Sequence, residues 1–388
     1  MQRILSIISK LGMGALVAVF LVETFLYVIA LTPASKIFPV IEPQLGQPDK
    51  DIGYAFTPNT TALWTKENRA LVSINSLGLR DNEIAFEKSP HTYRIALTGD
   101  SIVEALQVEK KYAFDNLVGK KFKEQGRNIE IMNFAMAGNG PLRQLVRLEK
   151  FATPLKPDLI IMLMSSSDFL TGELLDDSGN PGYKIKDNNQ VERSYGFKNR
   201  FSQRHADTIF GKTFLFLMHH TNIFRTFYFK IKEPKLKILG LNIGRKKSIN
   251  VEPDKCQTKD INKLYKLWVE QSHSTDWRVA QHFFTEVSQY AQTTPIILGM
   301  YIPTVSEQCD KQKVQRAKIV HSLKQITQKY NINFVDWNDD VLKYLDNDQN
   351  IDMLYGFGMA CGNGHLNYRG HSIYAQVLYK TISAHMNY

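Results

Sequence analysis

Cysteine is scarce in this chain, and low-complexity and repeated sequence are missing. The three cysteines, Cys256, Cys309 and Cys361, are scattered through 388 residues, and none of their spacings resembles a zinc site, so no structural metal is expected. An odd count leaves one thiol over after any pairing. The lack of an internal repeat excludes a solenoid, and no stretch is biased enough in composition to read as disordered. Charge is not extreme either, at 22% of residues, while 43% are hydrophobic and 11% aromatic. That is ample for a large core carrying attachments.

One long apolar run is present. Leu11–Leu31 comprises 21 mostly apolar residues preceded by Arg3 and Lys10. About 20 residues span a bilayer as a helix, and a positive flank before the run keeps the N-terminus in the cytoplasm. A cleaved signal peptide is the alternative, but its core is roughly 7 to 15 residues, and Thr32-Pro33-Ala34 is a poor cleavage site. Residues 1–34 are therefore expected to form a cytoplasmic stub and a retained single-pass anchor in the inner membrane. The remainder would be periplasmic or extracellular, where a disulfide is permitted. Glu23 lies within the run. A carboxyl there is either tolerated in neutral form or makes a polar contact, for instance to a partner membrane protein.

Net charge is +10, and much of it is local. Between Arg200 and Lys247, 11 Lys/Arg face only Asp207 and Glu233, interleaved with Phe210, Phe214, Phe216, Phe224, Phe227, Tyr228 and Phe229. Such a patch can bind nucleic acid, but a chain anchored outside the cytoplasm does not meet it, so no nucleic-acid partner is expected. Anionic lipid head groups, an acidic polysaccharide or plain solvent remain as partners of this face.

Residues 35–90 read as a linker and a small β segment, with Asn75-Ser76-Leu77-Gly78 as a turn. From residue 91 to the end, strand and helix patterns alternate. Strands are expected at Arg94–Thr98, Ile129–Phe134, Leu159–Met164, Ile296–Tyr301 and Asn333–Asp336. Helices are expected at Ile102–Gln125, Leu142–Phe151, Val279–Gln292, Lys311–Tyr330 and Gly370–Ala384. Near-continuous apolar strands between amphipathic helices predict an α/β fold with a five-stranded parallel sheet covered on both faces. The connection between the third and fourth strands, about 170–278, is too long for one crossover helix and reads as a helical insertion carrying the basic stretch.

Four segments fall at the strand ends where ligands of open parallel sheets bind. They are Gly99-Asp100-Ser101, the glycine-rich loop containing Gly138, Ser165-Ser166-Ser167-Asp168, and Gly364-His365-Leu366-Asn367. Ser101 at a strand-to-helix junction is either a helix N-cap or a nucleophile. Together these segments resemble the SGNH, or GDSL-type, hydrolase superfamily, over about Asn75 to the C-terminus. The membrane-anchored bacterial branch is the most similar, with a segment like NSLGLRDNE before GDS and HLNxxGH closing the domain.

The resemblance implies a flavodoxin-like three-layer sandwich and acyl transfer without a cofactor. Ser101 would be the nucleophile and His365 its general base. The Ser101 and Gly138 N–H groups would bind the oxyanion, with Asp100 and Asp168 as supporting residues. Two positions depart from the family pattern. Ser167 stands where the family carries an oxyanion-binding Asn, and loss of such a donor costs about 10²–10³ in rate. Asn363 stands where the family carries the triad Asp; it can orient the imidazole but not stabilise imidazolium by charge. Asp352 could substitute if its loop folds back. Cys309 follows the fourth strand and Cys361 lies four residues before His365, so both loops are expected on one rim and a Cys309–Cys361 disulfide could brace the histidine loop, with Cys256 as a competing partner. Arg80 reads as structural.

Two functions follow. The first is a membrane-anchored esterase or O-acyltransferase acting on an acylated polysaccharide or lipid, with a membrane acyltransferase as a possible partner. The second is a catalytically impaired relative that binds a glycan or scaffolds an acylation complex.

Overall fold

The computed structural model of the protein describes residues 2–32, 45–165, 168, 174–175, 180–232, 269–270, 275–301, 310–345, 351–358, 362 and 364–386. A long helix α1 (Gln2–Leu31) comes first. Two short antiparallel hairpins follow, β1 (Gly46–Asp49) with β2 (Gly53–Phe56) and β3 (Thr61–Trp64) with β4 (Ala70–Ser73). The alternating domain begins with β5 (Tyr93–Thr98), α2 (Ser101–Glu104), α3 (Phe114–Glu124), β6 (Ile129–Asn133), α4 (Pro141–Arg147) and β7 (Leu159–Ser165).

The insertion contains the hairpin β8 (Gly182–Ile185) and β9 (Val191–Ser194), then α5 (Phe201–Arg204), α6 (Ile209–His220) and α7 (Asn222–Lys232). The chain returns through α8 (Thr275–Ala291), β10 (Ile296–Tyr301), α9 (Asp310–Lys329), β11 (Asn333–Asp336), α10 (Trp337–Tyr344) and α11 (Tyr368–His385).

The sheet order is β11-β10-β7-β5-β6, and every pairing is parallel. Counted along the chain this is 2-1-3-4-5, the flavodoxin-like order, with its switch point between β5 and β7. The reason for two covered faces is visible in β7. Leu159, Ile161 and Leu163 pack with Phe114, Trp337 and Tyr374 on one side. Ile160, Met162 and Met164 pack with Leu145, Phe283 and Leu323 on the other. A strand alternates its side chains between faces, so a strand buried on both sides must be apolar throughout. Each such side chain contributes about 1.5–3 kcal/mol.

All five expected strands form, within a residue or two of their expected ends. The helices differ more. The one expected at Ile102–Gln125 breaks after Glu104, because Ala105 adopts a left-handed backbone (φ 59°) and closes α2 after one turn. The π-helical turn Leu148–Ala152 completes α4. Helix α10 has no counterpart in the sequence reading; it starts directly after β11, where the Asp336 side chain caps it by accepting from the Asn338 N–H. The turn at Asn75–Gly78 exists, closed by the Gly78 N–H on the Asn75 carbonyl. It does not join strands, however: the β3–β4 turn lies at residues 65–69.

Candidate active site

Ser101 is placed by a tight junction at the end of β5. A Cβ on Gly99 would lie 2.3 Å from Val103 Cγ2 and 2.9 Å from the Leu163 carbonyl, so only glycine lets the chain turn this close to β7. The N-cap of α2 is Asp100, whose Oδ1 accepts from the Ile102 N–H at 2.9 Å. Its other oxygen accepts from the Tyr301 hydroxyl at 2.6 Å. Capping is thus performed by the aspartate, and Ser101 occupies the first helical position, half-buried, with no hydrogen bond to its hydroxyl among the described residues. Burial raises the Asp100 pKa, opposed by the Tyr301 hydroxyl, the Ile102 N–H and the nearby His365 imidazole.

The loop after β6 carries Ala137 and Gly138 on its exposed rim. It is held from below by Asn139, whose buried amide donates to the Gly99 carbonyl at 3.1 Å, joining this loop to the Ser101 junction. Glu104, one turn beyond Ser101, is buried and accepts from the Ala137 N–H. Burial pushes its pKa up to about 7, against the pull of that N–H and of Arg147 and Arg80. At the end of β7, buried Asp168 accepts from the Ser165 N–H at 2.8 Å and closes that strand end.

Arg80 is structural, as its segment suggested. Its guanidinium donates to the Val108 carbonyl in the loop between α2 and α3. Next to it, Asp81 bonds Lys110 at 2.7 Å and the Asn133 N–H at 2.7 Å, which binds this segment to the end of β6.

His365 is oriented by a residue absent from the sequence reading. Its Nδ1 lies 2.8 Å from Glu67 Oε1, and its backbone N–H donates to Glu67 Oε2 at 2.9 Å. Both carboxylate oxygens therefore engage one residue. An ionised carboxylate only accepts, so Nδ1 carries the proton, and in the neutral ring Nε2 then keeps its lone pair. Glu67 sits in the β3–β4 turn with a left-handed backbone (φ 71°). The next residue anchors that turn, as Asn68 donates to the Gln107 carbonyl at 2.8 Å and to the Tyr368 hydroxyl at 3.2 Å. Gly364 makes room for the carboxylate: its φ is 103°, and a Cβ there would stand 2.4 Å from Glu67 Oε2.

The structure thus gathers Ser101, Asp100, Gly138, Asp168 and His365 at the carboxyl edge of the sheet, and adds Glu67. Ser167, Asn363, Cys256, Cys309 and Cys361 lie outside the described residues, as does the side chain of Asp352. The acceptor role expected of Asn363 at the imidazole N–H is filled by Glu67. No local signal marked Glu67, which is 298 residues from His365 in the chain.

No protein-family model matches the chain, and no curated protein matches it by sequence. Among solved structures it is similar to the psychrotrophic esterase EstA from a Pseudoalteromonas species, at 12% identity, covering 76% of this chain and 99% of that one with a TM-score of 0.36. It is similar to a lipase/acylhydrolase from Enterococcus faecalis, at 12% identity over 76% and 97% of the two chains, TM-score 0.37. A member of the lipolytic G-D-S-L family from Veillonella parvula gives 12% identity over 74% and 97%, TM-score 0.36. Superpositions this loose leave the fold to stand on the strand order and registers described above.

Proposed function

We propose that this protein is a membrane-anchored serine esterase or O-acyltransferase of the SGNH type, acting outside the cytoplasm on an acylated glycan or lipid. The observation that carries the reading is the two-point grip of Glu67 on His365, at the sheet edge that also presents the uncapped hydroxyl of Ser101. A serine hydroxyl needs a base whose lone pair is free and whose other nitrogen is held. The Glu67–His365 pair supplies that arrangement.

Ser101 Oγ attacks the ester carbonyl while His365 Nε2 takes its proton, and Glu67 stabilises the imidazolium by charge. The Ser101 and Gly138 N–H groups receive the developing oxyanion, with the Ser167 hydroxyl as a further donor. His365 then returns the proton to the leaving alcohol. Water or a sugar hydroxyl, deprotonated by the same imidazole, resolves the acyl-enzyme. The impaired-relative reading leaned on Ser167 and Asn363 together, and a carboxylate at Nδ1 speaks against the second of these grounds.

Supporting the anchor, Arg3–Ile29 is long and apolar enough to cross a membrane. The test is turnover of p-nitrophenyl acetate by the full-length protein in detergent, with an added oligosaccharide as competing acceptor. The reading expects turnover that falls to background in Ser101→Ala, and acetyl-oligosaccharide as a product if transfer is the native outcome. Equal rates in wild type and Ser101→Ala would rule it out.

A further inference from the structure

The carboxylate of Glu23 projects from the apolar helix α1 and finds its partners within the insertion. It accepts from the Asn222 backbone N–H and side-chain amide, at 2.5 and 2.7 Å, and from the Ile223 N–H at 2.9 Å. Glu23 therefore caps the N-terminus of α7. Next to it, Arg225 donates to Asn222 Oδ1 and to the Met218 and His219 carbonyls that end α6. The elbow between α6 and α7 is thus a polar cluster bonded largely within itself, with Arg225 Nε and Thr226 Oγ1 the buried atoms there that find no partner among the described residues. On α1, residues 3–22 are exposed throughout, while Glu23 and Leu26 are half-buried and Ile29 is buried, a single stripe at helical spacing.

The exposed surface of the α6–α7 hairpin carries large apolar side chains beside Lys212, Thr213 and His220. Ile209 is 87% exposed, Phe210 65%, Phe216 60% and Phe227 65%. A cleft of about 640 Å³ between the hairpin and β1 is lined by Pro48, Arg200, His205, Phe210, Phe214 and Tyr228. Singly exposed apolar residues need no account, but a clustered set on one helical hairpin marks an interaction surface.

Depth along α1 identifies the partner. With Lys10 at the inner boundary, the 13 residues to Glu23 rise about 20 Å. The hydrocarbon core is roughly 30 Å thick, so Glu23 and the elbow it caps lie about 10 Å below the outer boundary. Amphipathic helices in the interface bury their apolar faces by about 5–10 Å, the same depth.

We propose that the α6–α7 hairpin is a second membrane element, lying in the outer leaflet of the bilayer that α1 crosses, with its exposed aromatics among the acyl chains and the basic residues around it at the head groups. This rests on the reading of α1 as a retained anchor. It ties the catalytic domain down at two points and holds the insertion at the lipid surface, close to any membrane-borne acyl donor.

The test is tryptophan quenching by lipids brominated along their acyl chains, in full-length protein reconstituted into nanodiscs, read as the emission each variant adds over wild type. Phe216→Trp and Phe227→Trp probe the hairpin, Phe20→Trp probes α1, and Tyr344→Trp on α10, across the sheet, is the aqueous control. All four side chains are exposed, so folding is not at stake. The proposal expects the brominated lipid to remove most of the added emission at 216, 227 and 20 and none at 344. Quenching at Phe20→Trp without quenching at 216 and 227 overturns the hairpin insertion alone. No quenching at Phe20→Trp overturns the anchor and this proposal together.

Discussion

Replacing Glu67 by Gln keeps the shape of the side chain and removes its charge. In the transition state His365 becomes imidazolium, and its charge centre lies about 4 Å from that of the carboxylate. At an effective dielectric of about 20 this attraction is worth about 4 kcal/mol. The Glu67 and His365 side chains are only 20% and 22% exposed, so solvent screening removes little of it. At 1.36 kcal/mol per decade, the loss is about 10³ in kcat. A Gln that presents its NH₂ to Nδ1 also imposes the wrong tautomer, and the corresponding change in a serine-protease triad costs about 10⁴.

The hairpin should stay in place, because Asn68 still bonds Gln107 and Tyr368. The thermal midpoint is therefore expected to shift little. The assay is p-nitrophenyl acetate turnover across a KM-resolving range for wild type, Glu67→Gln and Glu67→Asp. The loss should fall on kcat in Glu67→Gln, with partial recovery in Glu67→Asp. A Glu67→Gln protein within about threefold of wild type in kcat would refute the assignment of Glu67 as the triad acid.

Further expectations concern the surroundings of this pair. Gly364→Ala should lower turnover as strongly as loss of Glu67 does, because the new Cβ would stand 2.4 Å from Oε2 and push the carboxylate away; wild-type kcat in that variant would show that the close approach is dispensable. Asn139→Ala removes one of two donors to the Gly99 carbonyl, which keeps the Met136 N–H, and should cost about 0.5–1.5 kcal/mol in urea denaturation, with no change meaning that the loop is held elsewhere. Glu104 contributes a pH dependence of stability. Its folded pKa of about 7 exceeds its ordinary 4.5, so its contribution is complete below about pH 4.5 and is lost as pH rises through 7, by about 3 kcal/mol at most. Glu104→Gln should therefore flatten the fall in urea midpoint between pH 5 and pH 8, and identical slopes in both proteins would contradict the assignment.

The sheet was legible because its physics is local. A strand covered on both faces reads as an unbroken apolar run, and Leu159–Ser165 could hardly be anything else. The strand-end loops were legible through Gly99, where close packing tolerates only glycine. The helix break at Ala105 was not, since nothing between Ile102 and Val108 is a breaker by type; the turn is imposed by tertiary bonds to the loop that follows it. Asp336 did carry a capping signal for α10, which the adjoining strand obscured.

The site was half legible. Ser101, Gly138 and His365 sit in short motifs, and the structure brings them to one edge. Glu67 sits in a turn made by a left-handed glutamate rather than by glycine, so the turn itself left no mark, and its partner is hundreds of residues away. Asn363 looked like the orienting residue because it stands, two residues before His365, where the SGNH pattern carries the triad acid. Glu23 posed the same difficulty. Sequence showed an unpaired carboxyl in an apolar run, and only the fold supplied Asn222 and Ile223 as its partners.

The most direct test of the account is labelling of the full-length protein with a fluorophosphonate, which reacts only with an activated serine, followed by peptide mapping. The account predicts a single adduct on Ser101 in wild type, lost in Ser101→Ala and slowed by about 10³ in Glu67→Gln. A folded wild-type protein that takes no label, or labels as fast in Glu67→Gln as in wild type, would contradict it.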